Sequence, residues 1–157
     1  MSEPASPPRV VYDCNIFVQA VINVRGPAAR CVEKAAAGDV TLFVTPFILD
    51  EIRESWEKLP RKYGVTREQT ELLASRVAGV ATVLVHVPEV FVYERDPDDA
   101  HYVNVAIVAD ARLIVSRDKD LLDLMDAARP EGQAFQARFP SLRIIDPVLL
   151  LRELEAR

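Results

Sequence analysis

The stretch that decides the fold is RVVYD at residues 9–13, a short run of apolar and β-branched residues that ends on an acid. Similar short apolar runs predict buried strands at residues 41–44, 83–87, 113–116 and 143–145. Helical patterns are predicted at residues 16–23, 27–37, 45–59, 66–78, 96–111, 118–125 and 147–155. Short, continuously apolar strands that alternate with helices indicate an α/β fold, in which a parallel sheet is covered on both faces.

The length and the net charge of the chain limit the number of domains and the kind of binding surface that we expect. A chain of 157 residues is expected to form one domain. The first eight residues include three prolines and two serines, so we expect residues 1–8 to be a flexible tail and residues 9–157 to be the domain. Acids outnumber bases by 24 to 19, and this net charge of −5 argues against a general cationic surface for nucleic acid.

Several classes of protein are disfavoured by composition. No run approaches the ~18 apolar residues of a membrane span, and the N-terminal residues show no secretory signal pattern. The two cysteines, Cys14 and Cys31, then predict reduced thiols in a cytoplasmic protein. With His86 and His101 as the two histidines, a His-rich zinc site is not expected, and the scattered glycines form no phosphate-binding loop.

Acidic residues follow four of the predicted strands, at the edge where the carboxyl ends of parallel strands meet. In chain order they are Asp13, then Asp50 and Glu51, then Asp96, Asp98 and Asp99, and finally Asp118 and Asp120. Each acid alone also fits a helix cap, but carboxylates that converge on one edge repel each other and need a cation. Oxygen ligands without His or Cys favour Mg²⁺ or Mn²⁺, which orient phosphodiesters and activate water.

The order of these motifs resembles that of the PIN-domain nucleases, particularly the VapC-like toxins of toxin–antitoxin pairs, over roughly residues 10–123. The resemblance is carried by DCN at residues 13–15, LDE at residues 49–51, DPDD at residues 96–99 and SRDKD at residues 116–120. It implies a three-layer α/β/α fold with a central, mostly parallel sheet of about five strands.

The resemblance also implies a set of site residues. The four acids that match the catalytic and metal-binding positions of the family are Asp13, Glu51, Asp99 and Asp118. Asp120 is an additional candidate ligand. Asn15 and Ser116 match the polar residues that orient the acids through hydrogen bonds.

Two of the four acid positions have an alternative candidate in the neighbouring residue. Asp98 competes with Asp99, which is preferred because it lies four and seven positions before Val103 and Ala106 on the inward side of the helix. Asp50 competes with Glu51, which is preferred because it fits the Leu-x-Glu spacing of the family. Asp50 is expected to be solvated.

The function implied by the resemblance is that of a metal-dependent endoribonuclease that uses one or two Mg²⁺ or Mn²⁺ ions. The implied partners are an RNA substrate, an antitoxin protein and a second copy of the chain in a homodimer. Arg117 and Lys119 alternate with the acids and are predicted to contact RNA, whereas residues 61–63, RKY, combine charge with an aromatic ring. The four acids account for four of the five excess negative charges, so the net charge says little against RNA.

Alternative functions stay open at this point. A PIN-fold nuclease for RNA processing or for structured DNA would use the same acids. A PIN-like binding module would be supported by the loss of two or more of the four acids, and here all four positions are filled. A phosphatase with a nucleophilic aspartate fits poorly, because the second aspartate it needs is replaced by Asn15. A receiver domain fits poorly as well, because the acid pair of its first strand is missing.

Overall fold

The computed structural model describes residues 5–157, and within them five parallel strands form one sheet in the order β3-β2-β1-β4-β5. The strands are β1 (Arg9–Tyr12), β2 (Thr41–Val44), β3 (Thr82–Val83), β4 (Leu113–Val115) and β5 (Arg143–Ile145). Because β1 lies in the centre with β2 and β4 on either side, the acids that follow these strands reach the same edge of the sheet.

Eight α-helices surround this sheet in the described part of the chain. They are α1 (Cys14–Ile22), α2 (Pro27–Ala36), α3 (Pro46–Lys58), α4 (Arg67–Val80), α5 (Asp99–Val108), α6 (Lys119–Leu122), α7 (Pro130–Arg138) and α8 (Pro147–Glu155), with 3₁₀ turns at Arg61–Tyr63 and Asp123–Met125. Helix α5 packs on β1, β2 and β4, whereas α1 contacts α2 and α3 in a separate layer. The predicted three-layer α/β/α architecture is confirmed. Among the helices of residues 5–157, none has the length and hydropathy required to span a lipid bilayer.

The central strand is buried on both faces, which explains its uninterrupted apolar sequence. Val10, Val11 and Tyr12 are fully buried, and Val10 pairs with Leu42 on one side and Leu113 on the other. The Tyr12 hydroxyl donates to the carbonyl of Cys31 at 2.9 Å, so this polar atom is satisfied inside the core.

The predicted N-terminal tail falls partly outside the described residues, which begin at residue 5. Residues 5–8 contain no helix or strand. The carbonyl of Pro8 accepts a hydrogen bond from the amide of Thr41 at 2.8 Å, so the pairing of β1 with β2 begins at the boundary between the predicted tail and the domain.

The structure differs from the predicted elements mainly between β3 and β4. The strand predicted at residues 83–87 was wrong in its bounds: β3 covers Thr82–Val83, and after Leu84 donates to Val44 at 2.8 Å the chain leaves the sheet. Residues 84–98 form no helix or strand, and Pro88 lacks an amide proton for a ladder. The helix predicted at residues 96–111 is confined to α5, the one predicted at residues 118–125 divides into α6 and a 3₁₀ turn, and α7 was not predicted.

A single side chain replaces the missing strand pairing in this irregular segment. The buried Asn104 on α5 accepts hydrogen bonds from the amides of Val90 and Phe91 at 2.9 and 2.8 Å. Its amide group donates to the carbonyl of Phe91 at 3.0 Å. Asn104 therefore holds residues 90–91 against α5, and with them the segment that leads to Tyr93 and Arg95.

Replacing Asn104 by leucine is expected to lower the free energy of unfolding by about 2–4 kcal/mol, because three main-chain groups lose their partner at little change in volume. The measurement is chemical denaturation of wild type and variant. The side chain of the exposed Asn23 accepts one hydrogen bond, from the amide of Arg25, and Asn23→Ala is the control, with an expected cost below about 0.5 kcal/mol. Equal stability of N104L and wild type would contradict this role.

Candidate active site

A cleft of about 220 Å³ opens at the carboxyl end of the central strands. Six carboxylates line it, together with apolar and neutral polar side chains: Asp13, Glu51, Asp96, Asp98, Asp99 and Asp118. All four acids that the motifs singled out are therefore brought to one place, from four segments of the chain.

Asp13 is the buried acid directly after β1 and caps the N-terminus of α1. Its Oδ1 accepts from the main-chain amide of Asn15 at 3.2 Å, and its Oδ2 accepts from the hydroxyl of Ser116 at 2.7 Å. The contact with Asn15 thus runs through the backbone, while the Asn15 side chain is exposed at the cleft. Burial raises the pKa of Asp13, and the hydrogen bonds from Ser116 and Asn15 oppose that rise.

Ser116 connects two of the acids. It is fully buried, donates to Asp13 and accepts from the main-chain amide of Asp118 at 2.9 Å. Asp118 in turn caps α6, because its Oδ1 accepts from the amide of Asp120 at 2.8 Å. The parallel pairing of β1 with β4 makes this connection possible, since it brings Tyr12 opposite Val115.

Asp99 is a carboxylate of the cleft whose environment disfavours its charge through both burial and neighbouring acids. It is the first residue of α5 and only 5% exposed, and its buried Oδ2 has no hydrogen-bond partner among residues 5–157. Burial, reinforced by the charge of Asp118, raises its pKa to about 8. A carboxyl group left unpaired inside a protein destabilises the folded state in its charged form.

These observations fit a divalent cation. Carboxylate oxygens of Asp96, Asp99, Asp118 and Asp120 lie within 4.8 Å of one another, and the buried oxygen of Asp99 lacks any other partner. The donors are all oxygens, the chemistry that Mg²⁺ and Mn²⁺ prefer. Asp96, which sequence reasoning had explained as part of a helix start, belongs to this cluster, whereas Asp13 and Glu51 line the same cleft outside it.

The two rivals of the motif acids take different environments. Asp50 is exposed and forms an ion pair with Arg53 at 2.9 Å, whereas Glu51 is half-buried and lines the cleft. Asp98 is exposed at the cleft, next to the buried Asp99. The helix start therefore points Asp99, and not Asp98, into the cluster.

Asp120 is shared between the cluster and a cation that the motifs did not reveal. Its Oδ1 lies 2.6 Å from Nε of Arg95, which also binds Asp123 at 2.8 Å. The hydroxyl of Tyr93 donates to the main-chain carbonyl of Asp120 at 2.8 Å. Arg95 directly precedes the DPDD motif, but its contact spans 25 positions of sequence and no local pattern predicts it.

The residues predicted to contact RNA lie outside the lining of the cleft. Arg117 and Lys119 are exposed on either side of Asp118. In the predicted basic and aromatic segment at residues 61–63, Nζ of Lys62 lies 5.2 Å from the ring centre of Tyr63. Lys58 lies closer to the acids, with its Nζ 3.8 Å from Oε2 of Glu51, and sequence reasoning missed it.

The sulfur beside the cleft is not suited to act as a nucleophile, and the imidazole of His101 does not line the cleft. Burial raises the pKa of the Cys14 thiol to about 12, so the sulfur stays protonated at neutral pH. Burial also lowers the pKa of His101, whose Nε2 shares a hydrogen bond of 2.8 Å with Oγ1 of Thr45. Carboxylates are the ionisable groups that dominate the lining of the cleft.

The fold and this arrangement of acids define the class of the protein. The family model described as PIN domain matches residues 9–120, and the chain belongs to the PIN domain family, whose members are generally nucleases. The family predicted from the motifs is confirmed.

Known proteins similar to this chain cover nearly all of it. An uncharacterised protein of Methanocaldococcus jannaschii is 28% identical over 148 residues, which is 94% of this chain and 92% of that protein. A chain from the crystal structure of VapBC2 from Rickettsia felis, bound to a DNA fragment from their promoter, shares the fold. The TM-score is 0.52 at 14% identity, with 88% of this chain and 98% of that chain covered. The predicted likeness to the VapC-like branch thus holds at the level of the fold.

Proposed function

We propose that the protein is a metal-dependent endoribonuclease that hydrolyses RNA phosphodiester bonds at the acidic cleft. The observation that carries the proposal is the buried Oδ2 of Asp99, which has no partner and lies among the carboxylates of Asp96, Asp118 and Asp120. Such a cluster is stable near neutral pH when a divalent cation neutralises it. Membership of the PIN domain family supports a nuclease.

Some residues of the cleft would hold the metal ion, and others would orient these ligands. Asp13, Asp99 and Asp118 would hold one or two Mg²⁺ or Mn²⁺ ions, with Glu51, Asp96 and Asp120 as further candidate ligands. When bound, the ion supplies positive charge to the phosphoryl oxygens and activates water as a nucleophile. Ser116 keeps the carboxylate of Asp13 oriented through its hydroxyl at 2.7 Å.

The reaction is a simple hydrolysis. The oxygen of a water molecule bonds to phosphorus, and the bond from phosphorus to the leaving ribose oxygen breaks. A carboxylate of the cleft accepts the proton that the water loses, and solvent protonates the leaving oxygen. The raised pKa values of Asp13 and Asp99 support a role in which these groups are partly neutralised, either by a proton or by a cation.

We further propose that the protein is the toxin of a type II toxin–antitoxin pair. The fold shared with a chain of VapBC2 supports this proposal. The partners would be a cognate antitoxin and a second copy of the chain. The protein would act in the cytoplasm. Arrest of growth on expression, relieved by co-expression of the neighbouring reading frame, is the expected result. If growth continues although the purified protein cleaves RNA, the nuclease activity stands and the role as a toxin is rejected.

The nuclease activity is tested with a panel of substrates. Purified protein with Mn²⁺ is incubated with single-stranded RNA, a structured RNA and duplex DNA, each labelled at one end. Cleavage of RNA is expected. Cleavage confined to DNA would favour the DNA-directed alternative, and binding without cleavage of any substrate would favour the non-catalytic module.

Glu51 and Asp50 provide a matched pair of neighbouring acids. Glu51→Gln is expected to slow cleavage by about 10- to 100-fold, because it removes a charge from the cleft without changing volume. Asp50→Asn is expected to leave the rate within about twofold, because Asp50 is exposed and pairs with Arg53. The measurement is the initial rate on one RNA substrate. A larger effect of D50N than of E51Q would reverse the assignment.

A further inference from the structure

We propose that Phe47 is a nucleobase-stacking residue, which holds one base of the bound strand at the mouth of the acidic cleft. This inference rests on the proposed function, since it places a nucleic acid strand at that cleft. Phe47 is the second residue of α3, lines the cleft with Glu51 and Asp99, and is 40% exposed. It is an aromatic ring left open beside the candidate reaction centre.

The ring of Phe47 is held in place from behind. It packs on the imidazole of His101, with ring centres 4.6 Å apart and planes inclined by 58°. The imidazole is itself fixed, because its Nε2 shares a hydrogen bond of 2.8 Å with Oγ1 of Thr45. Thr45 is buried and caps α3 by accepting from the amide of Ile48. A ring fixed in this way loses little conformational entropy when a base stacks on it.

The size of the cleft favours a base outside it rather than inside. Its volume of about 220 Å³ lies below the roughly 300–1,000 Å³ of cavities that enclose small ligands. A phosphate group can enter such a cleft, but the base of the same nucleotide then has to lie at the mouth. Phe47 offers an apolar surface there.

Because the cleft is negatively charged, we expect a nucleic acid strand to be held there also by a contact that is not electrostatic. Six carboxylates line it, and among the described lining residues Lys58 carries the one positive charge. Lys58 lies 3.8 Å from Glu51 and is 69% exposed, so its charge is already partly offset. Stacking on an aromatic ring is insensitive to base identity, and it requires a base that is not paired in a duplex.

The chain offers a matched control for Phe47. Tyr63 is 46% exposed, lies in the 3₁₀ turn Arg61–Tyr63 and does not line the cleft. It belongs to the segment that sequence reasoning considered for stacking. Phe47→Ala and Tyr63→Ala therefore remove rings of similar exposure inside and outside the candidate site.

The test measures binding of a labelled single-stranded RNA by fluorescence anisotropy, in full-length protein that also carries Asp99→Asn so that the strand stays intact. Phe47→Ala is expected to weaken binding at least about 5-fold. Phe47→Trp is expected to retain it and Tyr63→Ala to leave it within about twofold. Matched duplex RNA should bind more weakly and respond to none of these changes. Thermal melting verifies that each variant is folded.

A series of RNAs, each with one abasic position, identifies the stacked base. One position is expected to weaken binding to the parent protein and to have no effect when Phe47 is replaced by alanine. The inference is overturned if the parent does not bind the single strand, if Phe47→Ala binds as the parent does, or if Tyr63→Ala has the larger effect. If binding depends on Phe47 but the wild-type protein does not cleave RNA, only the proposed nuclease activity is rejected. If the wild-type protein cleaves RNA but binding does not depend on Phe47, only the stacking role of Phe47 is rejected.

Discussion

Replacing Asp99 by asparagine is expected to reduce RNA cleavage by about 10³-fold or more while making the metal-free protein more stable. The loss follows from removing a charge from the cluster that would hold the cation. The gain follows because Oδ2 of Asp99 is buried without a partner, and a neutral amide in its place can donate to the neighbouring carboxylate of Asp118.

The gain in stability should depend on pH in a defined direction. The pKa of Asp99 is about 8 in the folded protein and 3.8 in the unfolded chain, so between these values the folded state binds one more proton. The contribution of Asp99 to wild-type stability therefore falls as pH rises through this window, by up to about 1.4 kcal/mol per pH unit. The variant lacks this loss, so its advantage is smallest near pH 4 and reaches about 2 kcal/mol or more at pH 8.

Chemical denaturation in EDTA at several pH values measures this advantage, and cleavage assays with Mn²⁺ measure the loss. Asp98→Asn is the control, because Asp98 is the exposed neighbour on the same turn. It should change stability by less than about 0.5 kcal/mol and cleavage by less than about threefold. If D98N rather than D99N abolished cleavage, the third acid of the site would have been assigned to the wrong residue.

Replacing Asp13 by asparagine is expected to reduce cleavage by a similar factor, about 10³-fold or more, without the gain in stability. Unlike Asp99, Asp13 has partners for both oxygens, the amide of Asn15 and the hydroxyl of Ser116. An asparagine oxygen can still cap α1, but its amide group cannot accept from Ser116. The free energy of unfolding should therefore stay the same or fall by about 1 kcal/mol.

The contrast between the two variants is informative in itself. Circular dichroism and denaturation of the Asp13→Asn protein verify the fold, and initial rates on the same RNA give the loss of activity. Retained cleavage in this folded variant, at more than a tenth of the wild-type rate, would remove Asp13 from the site. A stability gain equal to that of D99N would show that the hydrogen bonds of Asp13 contribute little.

Local sequence predicted the parts of the fold that depend on local physics. The run at residues 9–13 predicted a buried central strand because parallel strands covered on both faces are apolar throughout. Thr45 followed by Pro46 predicted the start of α3, and the structure shows the expected cap, with Ile48 donating to Thr45. The meeting of Asp13 with Ser116 follows from the neighbouring positions of β1 and β4 in the sheet.

Features that depend on distant contacts could not be predicted in this way. The segment at residues 84–98 has strand-like composition at its start, but it is held by the side chain of Asn104 instead of a neighbouring strand. Arg95 binds Asp120 and Asp123 far along the chain. In the sequence, Phe47 does not differ from the other apolar residues of α3. Its exposed position at the cleft depends on where His101 lies in three dimensions.

Cleavage of RNA at the acidic cleft is expected to require a bound divalent cation, and a cycle of chelation and restoration tests this requirement most directly. Purified wild-type protein is followed on a labelled single-stranded RNA, first with Mn²⁺, then after excess EDTA, then after Mn²⁺ is added beyond the EDTA. Cleavage is expected to stop on chelation and to resume on restoration, with Asp13→Asn inactive throughout. Cleavage that continues in excess EDTA, or that D13N retains, would contradict this expectation.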